Sequence, residues 1–215
     1  MTTTATPYVF DEDLRDRIAT HLEAHPRVAI TDPEMRHAAV SIVVTTHDET
    51  GDAAFWLTRR AAKLRRHSGQ FALPGGRIDP GETALEAALR ELREEMGVAL
   101  GNGHVLGVLD DFATRSGFCI TPFVLWAGED VELAPDPSEV ARVHHIPLHE
   151  LDSPDIPKLQ PSDTPGRHIM SAPLATMGHE IYAPTAAMLF QFREVALHGR
   201  ATRVAHFDQP EFARK

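Results

Sequence analysis

The sequence predicts a mixed α/β fold. Three observations carry this. Two runs rich in β-branched and aromatic residues, HAAVSIVVTTH (37–47) and AAFWLTRR (53–60), flank the turn-forming DETGD. Over 82–96, Leu85, Leu89, Leu92 and Met96 fall within an arc of roughly 60° at about 100° per residue, which is a helix with one apolar side. Further strand-like runs then follow this helix.

Taken in chain order, residues 11–24 place Leu14, Ile18 and Leu22 at i, i+4 and i+8, an amphipathic helix ahead of the main fold that Pro26 ends. The first two strands read as a hairpin. After the helix at 82–96 come HVLGVLDDF (104–112) and FCITPFVLWAG (118–128), joined by ATRSG, then the proline-punctuated LAPDPSE and a further strand-like run, VARVHHIPL. Residues 152–178 are rich in Pro, Ser, Asp and Gly and read as a long irregular loop, part of a substrate pocket or a flap over it. Helical spacing returns through Ala187, Met188, Phe192 and Val195, with Gly199 as the stop. The resulting division is an N-terminal helical extension over 1–35, a main domain over 36–200 and a C-terminal tail over 201–215.

With 215 residues, 42% of them apolar, the chain is long enough for one domain with extensions and a sizeable core. Its net charge of −10 argues against a general nucleic-acid or membrane-surface binder, because phosphate backbones and anionic lipids would be repelled. An anionic substrate would need local basic groups or a metal. The single Cys119 excludes an internal disulfide and a cysteine metal cage, and reads as a small apolar residue of a strand. MTTTATPYVF lacks the basic start and apolar run of a secretory signal, and no stretch approaches the roughly 18 apolar residues of a membrane helix. The expectation is a cytoplasmic protein.

Three glutamates, Glu91, Glu94 and Glu95, lie within five residues on the side of the helix opposite its leucines. Like charges at i, i+3 and i+4 each cost a few tenths of a kcal/mol unless something neutralises them. One answer is a solvated acidic face with i,i+4 partners such as Glu86 to Arg90. The other is a divalent cation, since magnesium and manganese prefer carboxylate oxygens. The preceding loop, LPGGRIDPGET (73–83), favours the cation. Gly75 and Gly76 allow a backbone carbonyl to turn toward it, Pro80 and Gly81 make a second turn, and Gly97 sits where a left-handed cap belongs.

Gly76, five residues, Glu82, seven residues, Arg90-Glu91-Leu92, one residue, Glu94-Glu95, one residue, Gly97-Val98 together resemble the complete Nudix box across 23 residues. The resemblance implies an α/β/α sandwich with a mixed β-sheet and Mg²⁺- or Mn²⁺-dependent hydrolysis of a nucleoside diphosphate linked to another moiety. Carried over position by position, Glu91, Glu94 and Glu95 resemble the metal-binding carboxylates, with Gly76 contributing from the loop. Arg90 resembles the arginine that orients them, and Glu82 the supporting glutamate, both acting behind the ligands.

Just upstream, Arg59, Arg60, Lys63, Arg65, Arg66 and His67 make a basic patch in an otherwise acidic protein, suited to phosphate. Solvated arginines at a strand end are the plainer alternative. The stretch resembles the signature of the coenzyme A pyrophosphatase branch, Leu-Leu-Thr-x-Arg-Ser, three residues, Arg, three residues, Gly, three residues, Phe-Pro-Gly-Gly. Leu57, Thr58, Arg60, Arg65, Gly69, Pro74, Gly75 and Gly76 match; Trp56, Ala61 and Leu73 depart. The resemblance extends through TRSGFCITPFV (114–124), PSEVARVHHIPLHEL (137–151) and EIYAPTAAML (180–189). It implies cleavage of coenzyme A to 3′,5′-ADP and 4′-phosphopantetheine. Arg59, Arg60, Arg65, Gly75 and Arg115 would hold the substrate, and Glu91 or Glu139 would serve as general base. ADP-ribose, a dinucleotide or an oxidised nucleotide is the alternative substrate, prompted by Ala61 and Leu73. A non-hydrolysing nucleotide sensor is a third reading, against which the intact glutamates stand. His144 and His145 are adjacent on a strand, point to opposite faces and read as structural, as do Phe190 and Phe192. The N-terminal helix and an exposed strand edge offer surfaces for a homodimer.

Overall fold

The computed structural model describes residues 6–61, 70–128 and 131–210. Helix α1 (Glu12–Glu23) starts at Asp11, whose carboxylate accepts the Leu14 N–H at 2.9 Å. Strands β1 (Arg36–Thr46) and β2 (Ala53–Arg60) form the expected hairpin, Thr46 opposite Ala53. Then come β3 (Phe71–Ala72), β4 (Gly75–Arg77), helix α2 (Ala84–Met96), β5 (Val105–Val108), β6 (Phe112–Ala113), β7 (Phe118–Trp126) and β8 (Val140–Pro147). The chain continues through β9 (Lys158–Pro161), β10 (His168–Leu174), β11 (His179–Tyr182), helix α3 (Thr185–Phe192), which a π-helical turn extends to Leu197, and β12 (Phe207–Asp208).

The first sheet runs β3-β2-β1-β7-β5, with β4 on β1, β6 on β7 and β8 on β2. It is mixed: β1 and β7 are parallel, Arg36 opposite Phe118 through Val44 opposite Trp126, and the other pairs are antiparallel. The two-residue alternation of each strand sorts its side chains between two cores. Ala39, Val43, Trp56 and Leu125 face α2, where they meet Ala87, Ala88, Leu92 and Met96. Ile42, Val44, Phe55, Leu57 and Val124 face the other way, toward α1 and α3. Helices therefore cover both faces, an α/β/α sandwich.

α1 is built into that second core rather than appended to it. Leu14, Ile18 and Leu22 are buried there, and at Gly107 a Cβ would lie 2.7 Å from the Leu22 side chain. Asp110 accepts the Val28 N–H, while Asp111 accepts the Ile30 N–H and the Arg27 guanidinium. These anchors also explain why 104–112 is two short strands: the chain breaks ladder geometry at 109–111 to turn both carboxylates toward the segment after α1. The tail over 201–215 is likewise packed where described, with Val204 and Phe207 buried and Arg203 paired to Asp110.

The expected long loop over 152–178 is corrected. It contains β9 and β10, which with β11 and β12 make a second, four-stranded sheet. Its Pro, Ser, Asp and Gly cluster in the turns, while β10 buries Met170, Ser171, Ala172 and Leu174. The sidedness of α2 is also corrected. Leu85 and Leu89 are only half-buried, whereas Ala87, Ala88, Leu92, Glu95 and Met96 form the buried side, because β1 and β4 lie against the edge that carries Glu91 and Glu95. No helix among the described residues is long and apolar enough to cross a membrane.

Candidate active site

The loop from β4 into α2 is held by local chemistry. Thr83 caps the helix: its hydroxyl accepts the Glu86 N–H at 3.2 Å and the Glu86 carboxylate accepts the Thr83 N–H at 2.7 Å. Glu86 is thereby committed to the cap and does not pair with Arg90 as its spacing had suggested. Gly97 ends the helix at φ 72°, with Ala134 packed where a Cβ would stand.

Arg90 is the centre of the cluster. Its Nε and Nη2 donate to the two oxygens of Glu82 at 2.9 and 3.1 Å, its Nη1 to Glu91 and Glu94 at 2.9 Å each, and Nη2 also to the Arg77 carbonyl at 3.0 Å. Arg90 thus offsets the repulsion among the glutamates and ties the loop to the helix. Its hydrogen bonds, with the Asp79 N–H, hold the Glu82 carboxyl below the usual range.

Glu95 stands deeper, 3% exposed. It accepts the Gly75 N–H at 3.0 Å and the Arg60 guanidinium at 3.3 Å. Burial pushes its pKa up to about 7, opposed by those two donors and reinforced by the charges of Glu91 and Glu139. Glu91 is also raised, chiefly by burial, although Arg90 lowers it. The charge of Glu139 raises both carboxyls slightly, the weakest of the influences on each; its carbonyl accepts the Ala61 N–H at 2.8 Å. Gly76 has no room for a side chain, since a Cβ would sit 2.3 Å from Glu91 Oε1. Gly75, at φ 148°, lies equally close to the Ala39 carbonyl.

A cleft of about 530 Å³ opens beside this loop on the α3 face of the sheet, bordered by Gly75, Gly76, Arg60, Phe118 and Tyr182. The glutamates stand behind its Gly75-Gly76 wall, and Arg60 connects the two. Phe118, Glu180 and Tyr182 border the cleft; they lie in the stretches 114–124 and 180–189 that carry the resemblance, but none stands out singly in sequence, because β7 and β11 arrive from distant parts of the chain.

Other expected substrate residues are placed differently. Arg59 borders a neighbouring cavity rather than the cleft. Arg115 does not border the cleft: its guanidinium binds Asp208, Thr164 and, at 3.0 Å, Ser162, drawn there by the second sheet. Arg65, with Lys63, Arg66, His67 and Gly69, lies outside the described residues. His144 and His145 do face opposite ways, His144 edge-on to Phe71 and His145 edge-on to Trp56. Phe192 is buried and Phe190 packs against Phe207.

Among the described residues no three His, Cys, Asp or Glu side chains are already disposed around one point as a metal shell. The donor set nonetheless fits a hard divalent cation. Glu95 is a buried and Glu91 a half-buried carboxyl, both raised by desolvation, a state that a cation relieves, and Gly76 clears the space beside Glu91.

A sequence profile described as the NUDIX domain matches residues 35–167. "Uncharacterized Nudix hydrolase NudL" of Yersinia enterocolitica is 41% identical over 115 residues, 53% of this chain and 57% of that protein. The protein of the same name from Yersinia pestis is 40% identical over 116 residues, 54% and 57% of the two chains. The chain thus spans somewhat over half the length of these curated relatives. A crystal structure of a MutT/nudix family protein from Enterococcus faecalis aligns with a TM-score of 0.49 at 15% identity, over 81% of this chain and 64% of that one. The profile match takes in well over half of the chain, including Arg60, the Gly75-Gly76 loop and all of α2, and on that extent the chain belongs to the NUDIX domain family.

Proposed function

We propose that the chain hydrolyses the diphosphate bond of coenzyme A or its derivatives, giving 3′,5′-ADP and 4′-phosphopantetheine, with Mg²⁺ or Mn²⁺. The observation that carries this reading is the junction of Arg60, Glu95 and the Gly75 N–H at the wall of the cleft. It sets a phosphate-binding cation and a cation-binding carboxylate side by side. The signature residues Leu57, Thr58, Arg60, Gly75 and Gly76 support the coenzyme A branch.

In this reading Glu91, Glu94, Glu95 and the Gly76 carbonyl hold the metal, which Nudix hydrolases generally use. A divalent cation there supplies neutralisation of the charge that builds on the diphosphate in the transition state. Arg90 orients Glu91 and Glu94, and Glu82 orients Arg90. Arg60 binds a phosphate oxygen, and its bond to Glu95 keeps it at the cleft. Glu91 or Glu139 takes the proton of the attacking water, both carboxyls lying close enough to influence one another.

Ala61 favours a second reading. It is buried, and it stands where the coenzyme A signature has a serine, so one hydroxyl contact is missing. ADP-ribose, a dinucleotide or an oxidised nucleotide is the substrate in that case.

Chromatography of products after incubation with coenzyme A and either metal, with ADP-ribose in parallel, tests the proposal. Appearance of 3′,5′-ADP and 4′-phosphopantetheine is expected. Cleavage of ADP-ribose alone would support the second reading, and cleavage of no diphosphate would overturn both.

A further inference from the structure

Beyond Phe71 and Glu180, which border the cleft, lies a second cavity of about 470 Å³ that both residues also border, together with Arg59, Arg142, His144 and His179. Strand register builds this cavity. Arg59 lies opposite Phe71 on β3 and opposite Arg142 on β8, and Leu57, two residues earlier, lies opposite His144. Residues paired across antiparallel strands share a face, so Arg59, Arg142, Phe71 and His144 all project to one side of the sheet.

Two like charges directly opposite one another destabilise a sheet unless something sits between them. Among the described residues neither guanidinium has a carboxylate within ion-pair distance. Glu180, the acidic residue at the rim, is already held by Lys158 and by the Ser171 hydroxyl at 3.0 Å. His144 feels the surplus. Burial and the charges of Arg142 and Arg59 keep its pKa below the ordinary histidine value, and its buried Nε2 has no hydrogen-bond partner among the described residues. His179 completes the wall, its ring stacked on Phe71 at 6.2 Å.

Two arginines with fixed donor forks and a neutral imidazole match a tetrahedral dianion. Arg59 and Arg60 are consecutive and supply one guanidinium to each cavity, so a ligand long enough to carry two phosphate groups can reach both.

We propose that this second cavity binds a phosphate monoester carried by the same ligand whose diphosphate occupies the neighbouring cleft. The inference rests on the diphosphate-hydrolase reading and deepens it: the site selects substrates with a phosphate besides the diphosphate, as the 3′-phosphate of coenzyme A is.

The test is equilibrium titration of the full chain with 3′,5′-ADP, 5′-AMP and inorganic phosphate, for the wild type and for Arg142→Ala, an exposed residue outside the carboxylate cluster. 3′,5′-ADP should bind about tenfold or more tightly than 5′-AMP, the worth of one charged hydrogen-bonding group. Arg142→Ala should erase that difference while leaving 5′-AMP affinity unchanged, and Arg142→Lys should restore part of it. Equal binding of the two nucleotides by the wild type would overturn the proposal, as would an unchanged preference in Arg142→Ala. Binding of inorganic phosphate that depends on Arg142 but does not compete with 3′,5′-ADP would overturn the shared-ligand assignment in favour of free phosphate. The hydrolase reading fails separately, by absence of turnover, and titration still reads the cavity in that event.

Discussion

Arg90 and Glu82, eight residues apart, face each other fork to fork: Nε to Oε1 at 2.9 Å and Nη2 to Oε2 at 3.1 Å. This pairing fixes the guanidinium plane so that its remaining donors reach Glu91 and Glu94 together. A lysine has the charge but not the fork. Arg90→Lys should therefore lower turnover by about 10–100-fold and raise the metal concentration needed for half-maximal rate. Metal titration of activity checks it, and an unchanged titration would show that Arg90 positions nothing.

Glu95 carries its charge in a buried place, so a neutral isostere costs the fold little. Glu95→Gln keeps the volume and can still accept the Gly75 N–H. Turnover should fall by about 10²–10³-fold, while Tm holds or rises, with any drop under about 4 °C. Calorimetry beside the activity assay separates these effects; near-normal turnover would remove Glu95 from the metal site.

Gly75 and Gly81 both have positive φ, at 148° and 87°, but only Gly75 is crowded, with the Ala39 carbonyl oxygen 2.3 Å from a Cβ position and nothing within 4 Å at Gly81. Gly81→Ala should cost about 1 kcal/mol of backbone strain. Gly75→Ala should cost more than about 3 kcal/mol, because β4 must also leave β1. Urea denaturation of the two variants gives the comparison, and equal losses would contradict it.

His25 makes stability depend on pH. Arg203 Nη1 lies 2.7 Å from His25 Nε2, which accepts its hydrogen only when the ring is neutral, while Asp110 Oδ1 lies 3.6 Å from the same nitrogen. Burial, then Arg203, hold the His25 pKa below its ordinary value against the opposing pull of Asp110. The folded value is thus below the unfolded one of about 6.5. The stabilising contribution is complete above about pH 6.5 and is lost as pH falls through the folded pKa. In His25→Gln the loss of unfolding free energy between pH 7 and 5 should be smaller, by at most about 1.4 kcal/mol per pH unit for one proton. Denaturation at several pH values measures this slope, and parallel slopes would rule out His25 as the source.

Much of the site is legible in sequence because its chemistry is local. The Thr83 cap, the Gly97 stop and the Arg90 contacts all lie within one loop and one helix. The helical wheel finds the apolar stripe but not its true centre, since Ala87 and Ala88 are small enough for the helix to roll its Glu95 edge onto β4. The second sheet is hidden because the turns around β9 and β10 dominate the composition of 152–178. Arg115 is misplaced for a related reason: Asp208, its partner, is 93 residues away. Arg59 and Arg60 are adjacent in sequence and read as one basic patch; their division between two cavities falls where the β2–β8 register shifts, a feature that depends on a strand distant in the chain.

The burial of α1 bears on where this protein can be cut. The family profile begins at residue 35, yet a fragment starting there would leave apolar surface once covered by Leu14, Ile18 and Leu22 open to water, at about 1.5–3 kcal/mol for each lost side chain. It would also strand Asp110 and Asp111 without their Val28, Ile30 and Arg27 partners. The smallest autonomous folding unit thus reaches back at least to Asp11, and a boundary drawn from shared family residues is shorter than the one cooperative unfolding would obey.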